Sequence, residues 1–185
     1  TRRFWAMHAG WSSSATNIVF TVDGGETWRD TGMQALENGY LDFHASMFGY
    51  GGDLYITAPN GGAIRAAHWE GPAESNTDQR IMVNLPGTTS GYRSNTMVDG
   101  NGRWWVFTRY GDNANENVEY AYSDNNGNSW TYGKAFDTNH SDVRIGSMPA
   151  ADGRPILVVL YLVDDRGYEY YKWNGNRFVA LPDHS

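Results

Sequence analysis

Arginine is the residue of this sequence best suited to recognition chemistry. Lys134 and Lys172 are the lysines among 14 basic residues, so the other 12 are arginines. A guanidinium offers a rigid fork of donors matched to a carboxylate, whereas an ammonium is a point charge. His44, Arg93 and Arg144 stand three or four residues ahead of Met47, Met97 and Met148. A second set gathers around short polar stretches: His8, Trp11, Arg109, Tyr110, Asp112, Asp164, Asp165 and Arg166. Forks from several places converging on one point would neutralise a bound carboxylate. His44 and Tyr110 could serve there as base and acid, although a lone histidine is more often structural. The arginines have a bland alternative too, stacking on aromatic rings or pairing with acids on a wet surface.

Convergence of this kind needs a repeating scaffold, and the chain carries one. Ser46-Met47, Thr96-Met97 and Ser147-Met148 are each followed by a glycine five residues after the methionine, at Gly52, Gly102 and Gly153. The methionines are 50 and 51 residues apart. After each glycine comes a strand-like run: Leu54–Thr57, Trp104–Phe107 and Ile156–Val159. Arg3-Phe4-Trp5 occupies the place of Arg103-Trp104-Trp105 two periods earlier. The third period shows the pattern best, with strands expected over Ser94–Val98, Trp104–Arg109 and Val118–Ser123 and a fourth from near Trp130. Gly, Asn and Asp separate them, as hairpins require. Four strands in about fifty residues is the signature of a β-propeller blade. A β-sandwich also has turns at such intervals, but has no reason to repeat its sequence.

Two octapeptides sit inside this repeat. Thr21-Val22-Asp23-Gly24-Gly25-Glu26-Thr27-Trp28 and Ser123-Asp124-Asn125-Asn126-Gly127-Asn128-Ser129-Trp130 share one pattern, with tryptophans 102 residues apart, two periods. A shorter, worn copy is visible in Trp173–Phe178, and none around His68–Gly71. The physics of the pattern is structural. The hydroxyls of Thr21, Thr27, Ser123 and Ser129 and the side chains of Asp23 and Asn125 can bind the N–H groups of their own turns. Gly25 and Gly127 can supply a positive φ, and Trp28 and Trp130 are expected to bury their rings against the sheet. Asp23 is therefore a folding residue, not a catalytic acid.

This pattern, Ser/Thr-x-Asp-x-Gly-x-Thr-Trp, resembles the Asp box of the BNR-repeat propellers, which include sialidases, endosialidases and other polysaccharide-processing proteins as well as non-enzymes. The resemblance implies an all-β chain of four-stranded antiparallel blades and a carbohydrate partner, an acidic glycan above all. In sialidases three arginines clamp the substrate carboxylate, an Asp is acid/base, and a Tyr paired with Glu is the nucleophile. By that likeness Arg93, Arg109 and Arg144 are the clamp, with His44 and Trp11 beside them in binding. Tyr110 or Tyr161 would be the nucleophile, and Asp112 or Asp165 the acid. The Arg-x-Pro signature of the family is absent, since Arg154-Pro155 lacks the intervening residue. Two other readings remain open: a polysaccharide lyase using His44 and Tyr110 on a uronate, and a non-catalytic glycan- or protein-binding module.

Blades are expected at about 33–87, 88–137 and 138–185, after an incomplete one over 1–32 that lacks its innermost strand. That makes about 3.75 blades, part of a ring, in which further blades of the same protein or of another chain would cover the bare edges. The strand two–three loops and the links between blades fall on one face of such a ring, and the octapeptide turns on the other. Ligand loops converge on the first face. A formal charge of −7 argues against nucleic acid and anionic lipid as partners. The chain has no cysteine, and no apolar stretch reaches the length of a membrane span. Asp124-Asn125-Asn126-Gly127 lacks the spacing and distal Glu of a calcium loop, so no metal or cofactor is expected. An extracellular or secreted protein of bacterial or phage type is the expected setting, and a start at Thr1 suggests a processed or excised piece.

Overall fold

A computed structural model of the chain describes residues 4–9, 16–34, 45–60, 63–69, 79–85, 93–110, 117–137, 143–161 and 167–182. Among these residues every regular element is a β-strand. Sheet one contains β1 (Phe4–Ala9), β2 (Thr16–Thr21) and β3 (Arg29–Gln34). Sheet two contains β4 (Ser46–Tyr50), β5 (Asp53–Asn60), β6 (Ala63–Trp69) and β7 (Gln79–Leu85). Sheet three runs β8 (Arg93–Val98), β9 (Trp104–Tyr110), β10 (Asn117–Ser123), β11 (Thr131–Asp137). Sheet four runs β12 (Val143–Pro149), β13 (Pro155–Tyr161), β14 (Gly167–Trp173), β15 (Phe178–Ala180). Each sheet is an antiparallel meander in sequence order. The expected strands of the third period agree with β8 to β11.

The core lies between the sheets, in three layers. Strand residues alternate faces, so each inner sheet packs on both sides. Ile18 of sheet one meets Leu54, Ile56, Ala58 and Trp69 of sheet two, with Trp5 and Met47 at the edge. Tyr55, Ile64 and Ala66 on the other face of sheet two meet Trp104, Val106 and Ala121 of sheet three. Met97, Trp105 and Phe107 on sheet three's far face meet Leu157, Val159, Trp173 and Phe178 of sheet four. Trp105 anchors this third layer. It is fully buried, within 6 Å of Phe178 and Trp173, and its Nε1–H donates to the Asp99 Oδ2 at 2.9 Å.

The small hydroxyls of the repeat prove to be pegs between innermost strands. Ser46 Oγ of β4 accepts from the Thr96 N–H of β8 at 3.1 Å, and Ser147 Oγ of β12 bonds Asn95 Oδ1 of β8. Thr96 Oγ1 turns inward instead, accepting from Trp104 Nε1 at 2.8 Å and donating to the Trp105 carbonyl at 3.0 Å. The methionines of the repeat are less uniform than their spacing suggests. Met97 opposes Trp105 and Met148 opposes Ile156, but Met47 opposes Ile56, one position out of phase. The cause is the hairpin. Residues 99–103 and 150–154 make five-residue turns, whereas Gly51-Gly52 closes β4–β5 with two residues at φ 63 and 98. Such a turn needs positive φ at both places, which glycine supplies. Phe48 therefore takes the place opposite Tyr55, and Met47 turns to the first layer.

Candidate functional site

An up-and-down sheet puts its first and third turns on one rim and its second turn, with the link to the next sheet, on the other. By register β1 to β3 match β9 to β11, so both octapeptides fall on the first rim, and their geometries match. Thr21 Oγ1 accepts from the N–H of Asp23 at 3.3 Å and of Gly25 at 3.0 Å, while its own O–H donates to Asp23 Oδ1 at 2.6 Å. Asp23 Oδ1 also accepts from the Thr27 N–H at 3.0 Å, and Oδ2 from the Thr27 hydroxyl at 2.5 Å. Ser123 Oγ likewise accepts from Asn125 N at 3.3 Å and Gly127 N at 2.7 Å, and Asn125 Oδ1 accepts from Ser129 N at 2.9 Å. Gly25 and Gly127 stand at φ 102 and 86. The Thr21 and Thr27 bonds hold the Asp23 carboxyl well below the usual carboxylate range. Every oxygen of Asp23 faces its own turn, which suits a folding role. Trp28 departs from expectation: the residue is 48% exposed, whereas Trp130 packs edge-on to Trp104 at 5.0 Å. The worn copy is a different turn, in which Asn174 Oδ1 accepts from the N–H groups of Asn176 and Arg177 at 3.0 Å.

The other rim is where the recognition residues were expected. His44, Trp11, Asp112 and Asp165 lie outside the described residues, as do Asp164 and Arg166. Tyr110, His8 and Arg93 belong to β9, β1 and β8, but their side chains are outside that set. Arg93 and Arg109 are register partners across β8–β9. Arg109 shares a face with Phe107, toward sheet four, and its Nη1 donates to the Val143 carbonyl of β12 at 3.4 Å. Arg144 is next along β12 and so lies on the far face of sheet four, opposite Leu160. Desolvation lowers its pKa from the ordinary guanidinium value. Register thus pairs Arg93 with Arg109, while Arg144 lies across sheet four from Arg109.

Beside Arg109 the structure assembles a group that sequence reasoning half saw. Tyr161 opposes Val143, the residue that Arg109 bonds. Its hydroxyl donates to Glu169 Oε2 at 2.7 Å, and the Tyr171 hydroxyl donates to the same oxygen at 2.5 Å. Phe136 of sheet three stacks on Tyr171 at 4.0 Å and closes the outer side of the crevice. Burial, then the Glu169 hydrogen bond, pushes the Tyr171 phenol up to about 12 and raises Tyr161 further still. Both phenols stay protonated through the neutral range, and the exposed Glu169 has two donors fixed on one oxygen. A carboxylate so arranged can take a proton from Tyr161, and the phenol oxygens remain free to accept from a hydroxyl. Glu169 was missed because its tyrosines reach it only through strand register: Tyr171 is two residues along β14, and Tyr161 is on β13. The described residues hold no cluster of His, Asp and Glu suited to a metal.

No family model matches the sequence, and no curated protein matches it. Solved structures do. An endo-arabinase from Bacteroides thetaiotaomicron VPI-5482 superposes with a TM-score of 0.61 at 14% identity, over 98% of this chain and 75% of its own. Aleuria aurantia lectin, a mutant in complex with alpha-methyl-L-fucoside, does so with a TM-score of 0.58 at 15% identity, over 97% and 55%. A protein of unknown function from Dyadobacter fermentans DSM 18053 matches with a TM-score of 0.61 at 14% identity, over 91% and 51%. The chain is an open β-propeller. It spans about half to three quarters of the length of these relatives in fold. Its four sheets are blades, and the three core layers are joints between blades.

Proposed function

We propose that this propeller handles an acidic glycan at the rim of the strand two–three loops, as a glycoside hydrolase of sialidase type. The observation that carries the reading is the row formed by Arg109, Tyr161, Glu169 and Tyr171 in the crevice between blades three and four. It supplies a fixed cation and a phenol–carboxylate pair side by side, and the acid candidates Asp112 and Asp165 follow β9 and β13 in the sequence. Arg109, with Arg93 beside it, neutralises the glycan carboxylate, and Arg144 serves the next position along the polymer. In the hydrolytic step Tyr161 oxygen attacks the anomeric carbon while Glu169 takes the phenol proton. The glycosidic C–O bond breaks as Asp112 or Asp165 protonates the leaving oxygen, and water then cleaves the tyrosyl–glycosyl bond. The octapeptides read as Asp boxes in this account, holding the far rim of each blade that bears them. An extracellular setting fits such a substrate.

Turnover of a fluorogenic sialoside and of polysialic acid tests the reading. Tyr161→Phe and Glu169→Gln should each lower kcat at least about 100-fold with KM little changed, the mark of a group that acts in the transition state. Arg109→Ala should chiefly raise KM. Binding without turnover, weakened by Arg109→Ala and indifferent to Tyr161→Phe, would instead assign a non-catalytic binding module. Neither binding nor turnover of any acidic polymer, uronates included, would remove the reading altogether.

A further inference from the structure

The glutamate of blade four has a counterpart in blade three. Thr108 opposes Glu119 as Val159 opposes Glu169, and on their other side these strands set Ser94 against Thr108 and Ile145 against Val159. Ser94 and Ile145 each follow the arginine of their first strand, Arg93 and Arg144. Glu119 and Glu169 therefore hold one register position in two successive blades. Tyr110 and Tyr161 match in the same way, opposing Asn117 and Gly167, each two residues ahead of its glutamate. Side chains alternate along a strand, so Glu119 shares a face with Val106 and Ala121, which pack between blades two and three. Glu119 thus stands at that boundary as Glu169 stands at the next.

The two boundaries differ in what surrounds the carboxylate. Tyr171, a donor to Glu169, gives way to Ala121, since Val106 opposes Ala121 as Leu157 opposes Tyr171. Among the described residues no hydrogen bond reaches the half-buried Glu119, and burial raises its carboxyl above the ordinary value against the pull of Lys134. Lys134 opposes Glu119 but gives its ammonium to Asp137, both of whose oxygens lie 2.8 Å away. With all three ionised, one negative charge is left over. The facing blade differs as well. Pro59 stands seven residues after Gly52 as Arg109 stands seven after Gly102, and it opposes Ile64 as Arg109 opposes Val118. Blade two therefore has no guanidinium at the place from which Arg109 reaches blade four.

From this we infer that Glu119 marks a second sugar subsite, at the boundary of blades two and three, which takes an uncharged residue while Arg109 holds an acidic one. The ligand is then a glycan in which acidic residues are interspersed with uncharged ones. The inference rests on the acidic-glycan reading and narrows it. A sugar hydroxyl donates to the open Glu119 carboxylate, a charge-assisted bond. A sugar carboxylate would set a second anion beside one already in partial burial, with no cation free to compensate, and like charges at close range disfavour one another. A polymer acidic at every residue is welcome at Arg109 and opposed at Glu119, whereas a mixed polymer suits both.

Calorimetric titration of wild type and Glu119→Gln tests it with two probes: hyaluronan, in which uronate and N-acetylhexosamine alternate, and polysialic acid, acidic at every residue. Glu119→Gln should weaken hyaluronan at least about 3-fold, by loss of a charged acceptor, and tighten polysialic acid by about the same factor. A substitution that merely disturbs the joint moves both affinities the same way, so that result, or no change in either, would overturn the inference. Arg109→Ala separates it from the reading beneath it, since loss of that cation should weaken both polymers. If Arg109→Ala weakens both while Glu119→Gln is silent, the acidic-glycan reading stands and the second subsite is removed. If neither polymer binds wild type, both fall together.

Discussion

Asp23 and Asn125 perform the same task with different chemistry. Each side-chain oxygen Oδ1 accepts from the N–H four residues on and from a hydroxyl two residues back. The second atom differs: Asp23 Oδ2 accepts from Thr27, whereas Asn125 Nδ2 donates to Ser129 Oγ at 2.9 Å. Protonation therefore threatens only the first turn. The folded carboxyl of Asp23 sits below its unfolded value of about 3.9. Its contribution is present in full above that value and is lost as pH falls through the folded one. Urea unfolding from pH 6 down to pH 2 should show wild type losing stability below about pH 4, and Asp23→Asn losing less over the same window. An equal loss in both would mean that the carboxylate bonds contribute nothing. The octapeptides were legible in the sequence because their bonds are all local, within four residues. The Tyr161–Glu169–Tyr171 group was legible only in Tyr161, because its geometry depends on which residues of β13 and β14 stand opposite one another. The exposure of Trp28 was hidden for a related reason: burial of that ring is decided by a neighbouring blade, not by its own turn.

Between elements, the joints hold at backbone level as well as through side chains. The Gly100 N–H of the turn after β8 donates to the Gly153 carbonyl of the turn after β12 at 2.8 Å. A Cβ on Gly100 would stand 2.6 Å from the Gly153 Cα, a contact with backbone that no rotamer relieves. Gly100→Ala should therefore destabilise by about 1–3 kcal/mol, read as a lowered urea midpoint. An unchanged midpoint would show that the two turns move apart freely. Asp99 organises the same turn, accepting from Asn101 N at 2.8 Å, Arg103 N at 3.1 Å and the Trp105 indole. Asp99→Ala strands a buried indole N–H and should cost about 1–3 kcal/mol, with the loss read in the same titration. The strand pattern was plain in the sequence, since period-two alternation and Gly/Asn/Asp turns mark strands directly. The phase of β4 was not. Met47 matches the repeat by spacing, yet a hairpin three residues shorter shifts its partner by one and turns it to the other face.

For the whole molecule, an open run of blades explains why the proposed recognition groups gather at blade boundaries, not within one blade. Arg109 reaches from blade three to the strand beside Tyr161 of blade four, and Arg144 lies on the far face of blade four. On the proposed reading, acidic-glycan handling depends on charge at blade boundaries, whichever of hydrolysis or binding follows. Calorimetric titration of polysialic acid against a carboxyl-reduced, neutral form of the same polymer tests this most directly. The acidic polymer should bind at least about 10-fold more tightly, a difference of about 1.4 kcal/mol, and Arg109→Ala should remove most of that preference. Equal affinity for the two polymers, or a preference untouched by Arg109→Ala, would contradict the account.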